Sequence, residues 1–150
     1  GGARFLETSG ERGGFSPEKW KAYAQGMARN KVEATAQLVN DGFFYRDPGA
    51  ATRQAVIDTM LQWPIYAMKM LGQALQNTDL GSRVSGLRAP ILILHGRHDK
   101  KQPFEDAQRL VERLPNSRLV AFEESAHNPQ LEELEKFNQL VTDFVHETSD

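Results

Sequence analysis

Pro90-Ile91-Leu92-Ile93-Leu94-His95-Gly96-Arg97-His98-Asp99 decides how this chain is read. Four apolar residues without interruption, opened by a proline and closed by His95-Gly96, predict a short strand buried on both faces, as in a parallel sheet. Downstream, Phe104, Ala107, Leu110, Val111 and Leu114 fall on one side of a helix predicted over 103–114, which Pro115-Asn116 stops. Arg118-Leu119-Val120-Ala121-Phe122 is a second strand. Asn128 as cap, Pro129 in the first position, and Glu132, Glu133 and Glu135 near the positive end then predict one closing helix. Its apolar face comprises Leu131, Leu134, Phe137, Leu140, Val141, Phe144 and Val145. Strand, helix, strand, helix means a right-handed parallel crossover and an α/β class.

Upstream the character is helical. Residues 1–15, rich in glycine, read as a linker, with Ser16 capping a helix whose stripe is Trp20, Tyr23, Ala24 and Met27. Val32, Thr35, Ala36 and Val39 continue helical spacing to Asp41-Gly42. Phe43-Phe44-Tyr45 and a Pro48-Gly49 turn follow. A third helix over 51–62 carries Val56, Met60 and Trp63 on one face, and Pro64 starts a fourth with Met68, Leu71 and Leu75 placed for burial. Lys19, Lys21, Arg29 and Lys31, interspersed with Glu18 and Glu33, read as a solvated helix face. The organisation is thus a linker at 1–15, a helical region at 16–78 and a strand-bearing region at 79–150.

A chain of 150 residues with 39% hydrophobic and 25% charged residues has the make-up of a globular domain. Eighteen basic against 20 acidic residues give a net charge of −2, which argues against nucleic acid or an anionic membrane as partner. No long apolar run predicts a spanning helix, and the start lacks a signal-peptide core. With no cysteine there is no disulfide, thiolate metal site or cysteine nucleophile, and a cytoplasmic location fits. Two buried parallel strands, however, do not make a stable sheet. The expectation is that Ile91 to Leu94 pair with something outside these residues; the competing reading is an α+β domain with a two-stranded sheet.

Candidate chemistry sits just past the strand ends, at Asp99 and at His127 in Glu123-Glu124-Ser125-Ala126-His127. Parallel sheets gather functional groups there, and a crossover between neighbouring strands sets the two loops side by side. A carboxylate on one imidazole nitrogen fixes the tautomer and leaves the other nitrogen as general base. His95, His98 and Asp99 as a metal set is the weaker reading, since a catalytic metal wants three well-placed ligands.

These residues, from Pro90 through Asp99, Leu119-Val120-Ala121-Phe122, Ser125-Ala126-His127 and the closing helix, resemble the C-terminal end of the α/β-hydrolase family, nearest its esterase, lactonase and carbon–carbon hydrolase branch. The resemblance covers about residues 79–150 and implies an incomplete α/β-hydrolase fold, with Asp99 the triad acid and His127 the general base. It makes residues 16–78 a lid, whose Phe43, Phe44, Met60, Trp63 and Met68 would line a pocket for a small-molecule substrate. The family's G-x-S-x-G nucleophile turn is absent from the 150 residues. Gly14-Phe15-Ser16 reads as a helix start, and Gly81-Ser82-Arg83-Val84-Ser85-Gly86 lacks the spacing. The implied enzyme therefore needs a complementary N-terminal half, in the same or a separate chain, carrying the serine; alone the chain would be inactive. No metal and no organic cofactor is implied. The alternative is a non-catalytic α/β interaction module.

Overall fold

The computed structural model describes residues 17–77, 84 and 86–149. The predicted linker, the Ser16 cap, the region boundary at Asp79-Leu80-Gly81 and the Leu75 side chain lie outside the described residues. Four helices come first: α1 (Pro17–Arg29), α2 (Lys31–Asn40), α3 (Ala50–Leu61) and α4 (Ile65–Asn77). The strand-bearing part follows as β1 (Ile91–Gly96), α5 (Phe104–Arg113), β2 (Ser117–Phe122), α6 (Pro129–Glu132) and α7 (Leu134–Thr148).

Asn30 separates α1 from α2 for a local reason. Its extended backbone breaks the helix while its side chain accepts the N–H of Glu33, the capping bond of α2. The two helices fold back on each other, so Met27, Ala34, Thr35 and Val39 are buried together. Thr35 Oγ1 satisfies itself on Met27 Sδ at 3.8 Å. Helix α3 packs on α2 through Ile57, and α4 packs on α1. The latter contact depends on a residue the apolar pattern hides: a Cβ on Gly72 would meet the Trp20 ring at 1.6 Å. In α3 the buried residue is Ile57, not the Val56–Met60–Trp63 stripe, and Trp63 is 52% exposed. Val32 and Leu71 are exposed as well, because nothing among the described residues lies over their sides of the helices. Lys31 also departs from the solvated-face reading. Its ammonium donates to the carbonyls of Leu61 and Trp63, capping the C-terminal end of α3 where unsatisfied carbonyls concentrate.

β1 and β2 run parallel in the register Ile91 opposite Ser117 through Gly96 opposite Phe122, with α5 as the crossover. Phe122 is fully buried and Phe104, Ala107 and Leu114 turn inward, forming a second small core. Among the described residues β2 is the one strand paired with β1. Ile91 to Leu94 are accordingly half-buried rather than enclosed on both faces. The closing helix also departs from its pattern: it breaks at Glu133 (φ −127°, ψ 56°) into α6 and α7. Along its predicted apolar face Leu131, Leu134, Val141 and Val145 are exposed. No helix among the described residues is long and apolar enough to cross a membrane.

Candidate active site

The carboxyl ends of β1 and β2 approach each other more closely than strand spacing alone requires. Beyond the ladder, Arg97 N–H donates to Phe122 O at 2.9 Å and His98 N–H to Ser125 O at 3.0 Å. Gly96 permits this, since it lies against the backbone of Ser125 and Ala126. The Asp99 loop and the His127 loop are thereby laid side by side.

Asp99 is buried and saturated with donors. Its Oδ1 accepts the N–H groups of Lys101 and Gln102 at 2.7 and 3.0 Å, a turn that fixes the carboxylate plane. Its Oδ2 lies 2.8 Å from His127 Nδ1. Burial pushes the Asp99 carboxyl up, but the His127 bond and charge and the two backbone donors outweigh it, holding the group below its ordinary range. An ionised Asp99 accepts from Nδ1–H, so the Nε2 of neutral His127 carries its lone pair away from the acid. The pair touches across 28 positions of sequence.

A second histidine borders the same carboxylate. His95 Nε2 donates to Gln102 O at 2.8 Å and lies 3.7 Å from Asp99 Oδ2, its ring edge-on to Phe104. His98 points the other way: it is exposed, stacks on Tyr45 at 3.7 Å between ring centroids, and sits 3.1 Å from Glu123 O. Hence His95, His98 and Asp99 do not converge, and no group of three or more ligand-type side chains among the described residues is placed to hold a metal.

The His127 loop is braced from two sides. His127 N–H and Asn128 Nδ2 both donate to Phe43 O, at 3.2 and 2.9 Å. The Asn128 side chain thus ties down the 43–45 segment and does not cap α6. Glu133 accepts Ser125 Oγ–H at 2.7 Å and Glu124 N–H at 3.0 Å; Glu132 accepts Ala126 N–H at 2.8 Å and Tyr45 N–H at 2.6 Å. Burial raises the Glu133 carboxyl, yet the Ser125, Glu124 and Lys136 interactions leave it below its ordinary value. Ser125, the serine nearest His127 in sequence, spends its hydroxyl on Glu133.

A cleft of about 370 Å³ opens beside the pair, lined by Leu92, Leu94, His95, Asp99, Leu110 and His127 among others. Of the five residues expected to line a substrate pocket, only Phe43 touches the pair, its ring 4.9 Å from that of His127. Phe44 and Met60 are half-buried, and Trp63 is exposed. Met68 lines a separate groove with Trp20, Tyr23, Met27 and Ile65, between α1 and α4. Glu132, Glu133 and Asn128 escaped the sequence reading because each resembled a helix-start signal; the available clue was a glutamate five positions past a candidate histidine.

The architecture has close counterparts. An esterase from Exiguobacterium antarcticum superposes over 96% of this chain with a TM-score of 0.91 at 24% identity, the match covering 53% of that protein. An AB hydrolase superfamily protein, YisY, of Bacillus subtilis is 36% identical over 137 residues, 84% of this chain and 51% of that protein. This chain is the C-terminal half of an α/β-hydrolase fold. A 2-hydroxy-6-oxononadienedioate/2-hydroxy-6-oxononatrienedioate hydrolase of Pseudomonas putida is 43% identical over 70 residues, 47% of this chain and 24% of that one. The chain spans about half the length, or less, of the curated α/β-hydrolase relatives it matches. No family model matches it.

The depressed Asp99 carboxyl gives a test that needs no substrate. A folded-state pKa below the unfolded value of about 3.9 means stability that is full above that value and is lost as pH falls through the folded pKa. At pH 7 the wild type is expected to exceed Asp99→Asn by about 1–2 kcal/mol, as befits a charge-assisted buried hydrogen bond. Urea unfolding of both proteins between pH 7 and pH 3 should show the gap shrinking on the acid side. A gap unchanged over that range would refute the ionised, donor-saturated Asp99.

Proposed function

We propose that this chain supplies the acid and the general base of a serine hydrolase acting on an ester, lactone or related carbonyl compound. The observation that carries the reading is the 2.8 Å contact between Asp99 Oδ2 and His127 Nδ1 at the carboxyl ends of two neighbouring parallel strands. Helices α1 to α4 belong, on this reading, to a lid over the site, with Phe43 and Phe44 at its edge. The nucleophilic serine lies on a further part of the fold, in the same or a separate chain, and that part completes the sheet on the other side of β1.

In the complete site His127 Nε2 takes the serine proton as the oxygen attacks the carbonyl carbon. Asp99 holds the ring and stabilises the imidazolium that forms. Collapse of the tetrahedral intermediate breaks the bond to the leaving oxygen, which takes the proton back from His127. Water then attacks the acyl-enzyme through the same base, freeing the acid and regenerating the serine. Every proton borrowed by His127 is returned, so each cycle consumes one substrate and one water and nothing from the enzyme. Which carbonyl compound is taken is a matter for the lid and pocket rather than the fold.

A serine-reactive fluorophosphonate tests this directly. The complete protein should be labelled on one serine outside residues 1–150, at a rate that collapses in His127→Ala. Labelling that does not depend on His127, or none at all, would leave the non-catalytic interaction module as the better account.

A further inference from the structure

We infer that Glu132 is a positioning residue for His127, a role that rests on the reading of His127 as general base. Two peptide planes flank Ala126, the residue before the histidine, and each is tied by a different partner. The N–H of Ala126 donates to Glu132 Oε2 at 2.8 Å, and the N–H of His127 donates to Phe43 O at 3.2 Å. The Phe43–Tyr45 segment is itself fixed by the other oxygen of the same carboxylate, which accepts Tyr45 N–H at 2.6 Å. Glu132, Tyr45, Phe43, His127 and Ala126 therefore form one closed hydrogen-bonded ring. It joins the helical half of the chain to the histidine loop through a residue 87 positions from Tyr45.

The geometry demands a carboxylate. Two N–H donors from separate segments need two acceptor oxygens in one plane, whereas a glutamine offers one oxygen and sets an NH₂ donor against the second N–H. Position matters as much as chemistry: Glu132 ends the short α6, and the break at Glu133 lets the two glutamates serve adjacent parts of the loop. Freed of Glu132, the Ala126 peptide can rotate, and the imbalance falls on the adjacent His127, whose Nε2 must meet a serine within hydrogen-bond reach. Misplacement of about 1 Å at such a group costs up to a hundredfold in rate.

The test uses the complete protein, p-nitrophenyl acetate as probe, and the variants Glu132→Gln, Glu132→Ala and His127→Ala. Turnover is normalised to folded protein by circular dichroism. Glu132→Gln is expected to lower kcat roughly tenfold, and Glu132→Ala toward a hundredfold, with KM close to wild type because the Glu132 carboxylate is spent on the Ala126 and Tyr45 backbone rather than on a substrate. The downfield proton resonance of His127 Nδ1–H should broaden in the same order, a change that a merely structural glutamate would not produce. Should Glu132→Ala fail to fold, the isosteric Glu132→Gln decides the matter. Wild-type kcat per folded molecule in Glu132→Gln, beside an inactive His127→Ala, would overturn the positioning role and leave the general base standing. An active His127→Ala would overturn both.

Discussion

Replacing His127 by alanine in the complete protein should lower kcat by several powers of ten, on the order of 10⁴–10⁶, with KM little changed. The size of the effect follows from what the ring alone can do. At neutral pH a serine hydroxyl is a poor nucleophile, and neither other histidine near Asp99 among the described residues is free to take its proton: His95 Nε2 is committed to Gln102 O, and His98 turns away onto Tyr45. Folding should survive, because His127 is at the edge of the cleft and its side chain is about one-third exposed. Asp99 would keep its two backbone donors from Lys101 and Gln102, so the loss of one partner does not strand a bare buried charge. Circular dichroism and urea unfolding on the variant would separate lost catalysis from lost structure. A folded His127→Ala protein with wild-type turnover would sink the assignment.

What made this pair visible in the sequence was its position rather than its composition. Ile91 to Leu94 and Leu119 to Phe122 are apolar runs of strand length, and Asp99 and His127 each follow one of them within a few residues. Topology then does the rest, since neighbouring parallel strands bring such loops together. The residues that hold the loops were not visible, for a physical reason. Phe43 acts through its backbone carbonyl, which any side chain could carry, and a chain reading has no means of placing it against Asn128. Glu132 and Glu133 satisfy the composition of a helix start, so their recruitment by Ala126 and Ser125 leaves no mark in the pattern.

The closing helix shows the same conflict between local and tertiary demands. Leu131, Leu134 and Phe137 keep helical spacing straight through Glu133, and periodicity alone predicts an unbroken rod. The loop contacts of Glu133 win instead, and the backbone leaves helical geometry at that one residue. On the helical side, periodicity assigned Met68 and Trp63 to helix faces and the lid resemblance turned them toward a substrate, but neither says which neighbour a face meets. Met68 lines the groove with α1, and Trp63 offers its carbonyl to Lys31 while its ring stays exposed. Packing partners chosen by tertiary approach, such as Gly72 under Trp20, lie beyond what spacing encodes.

The second large effect is expected at Gly96, where a single methyl group should both destabilise the fold and dismantle the site. A Cβ there would stand 1.9 Å from Ala126 O and 2.5 Å from Ser125 O, far inside van der Waals contact. Both atoms are backbone, so no side chain can swing aside to make room. Relief requires the histidine loop to move off β1, and three bonds oppose that: His98 N–H to Ser125 O, Arg97 N–H to Phe122 O, and His127 to Asp99. Gly96→Ala is therefore expected to cost about 3 kcal/mol, the upper end for overpacking, and to lower kcat at least about a hundredfold through displacement of His127. Gly49→Ala provides the contrast. Gly49 has φ of +81°, so alanine is strained there too, but nothing lies within 4 Å of its added Cβ. Its cost should be that of backbone strain alone, on the order of 1–3 kcal/mol for this extended positive-φ conformation, with turnover unchanged. Urea unfolding and kcat measured on both variants distinguish backbone strain from steric exclusion. Equal losses of turnover in the two would mean that the close approach at Gly96 is not what brings Asp99 and His127 together.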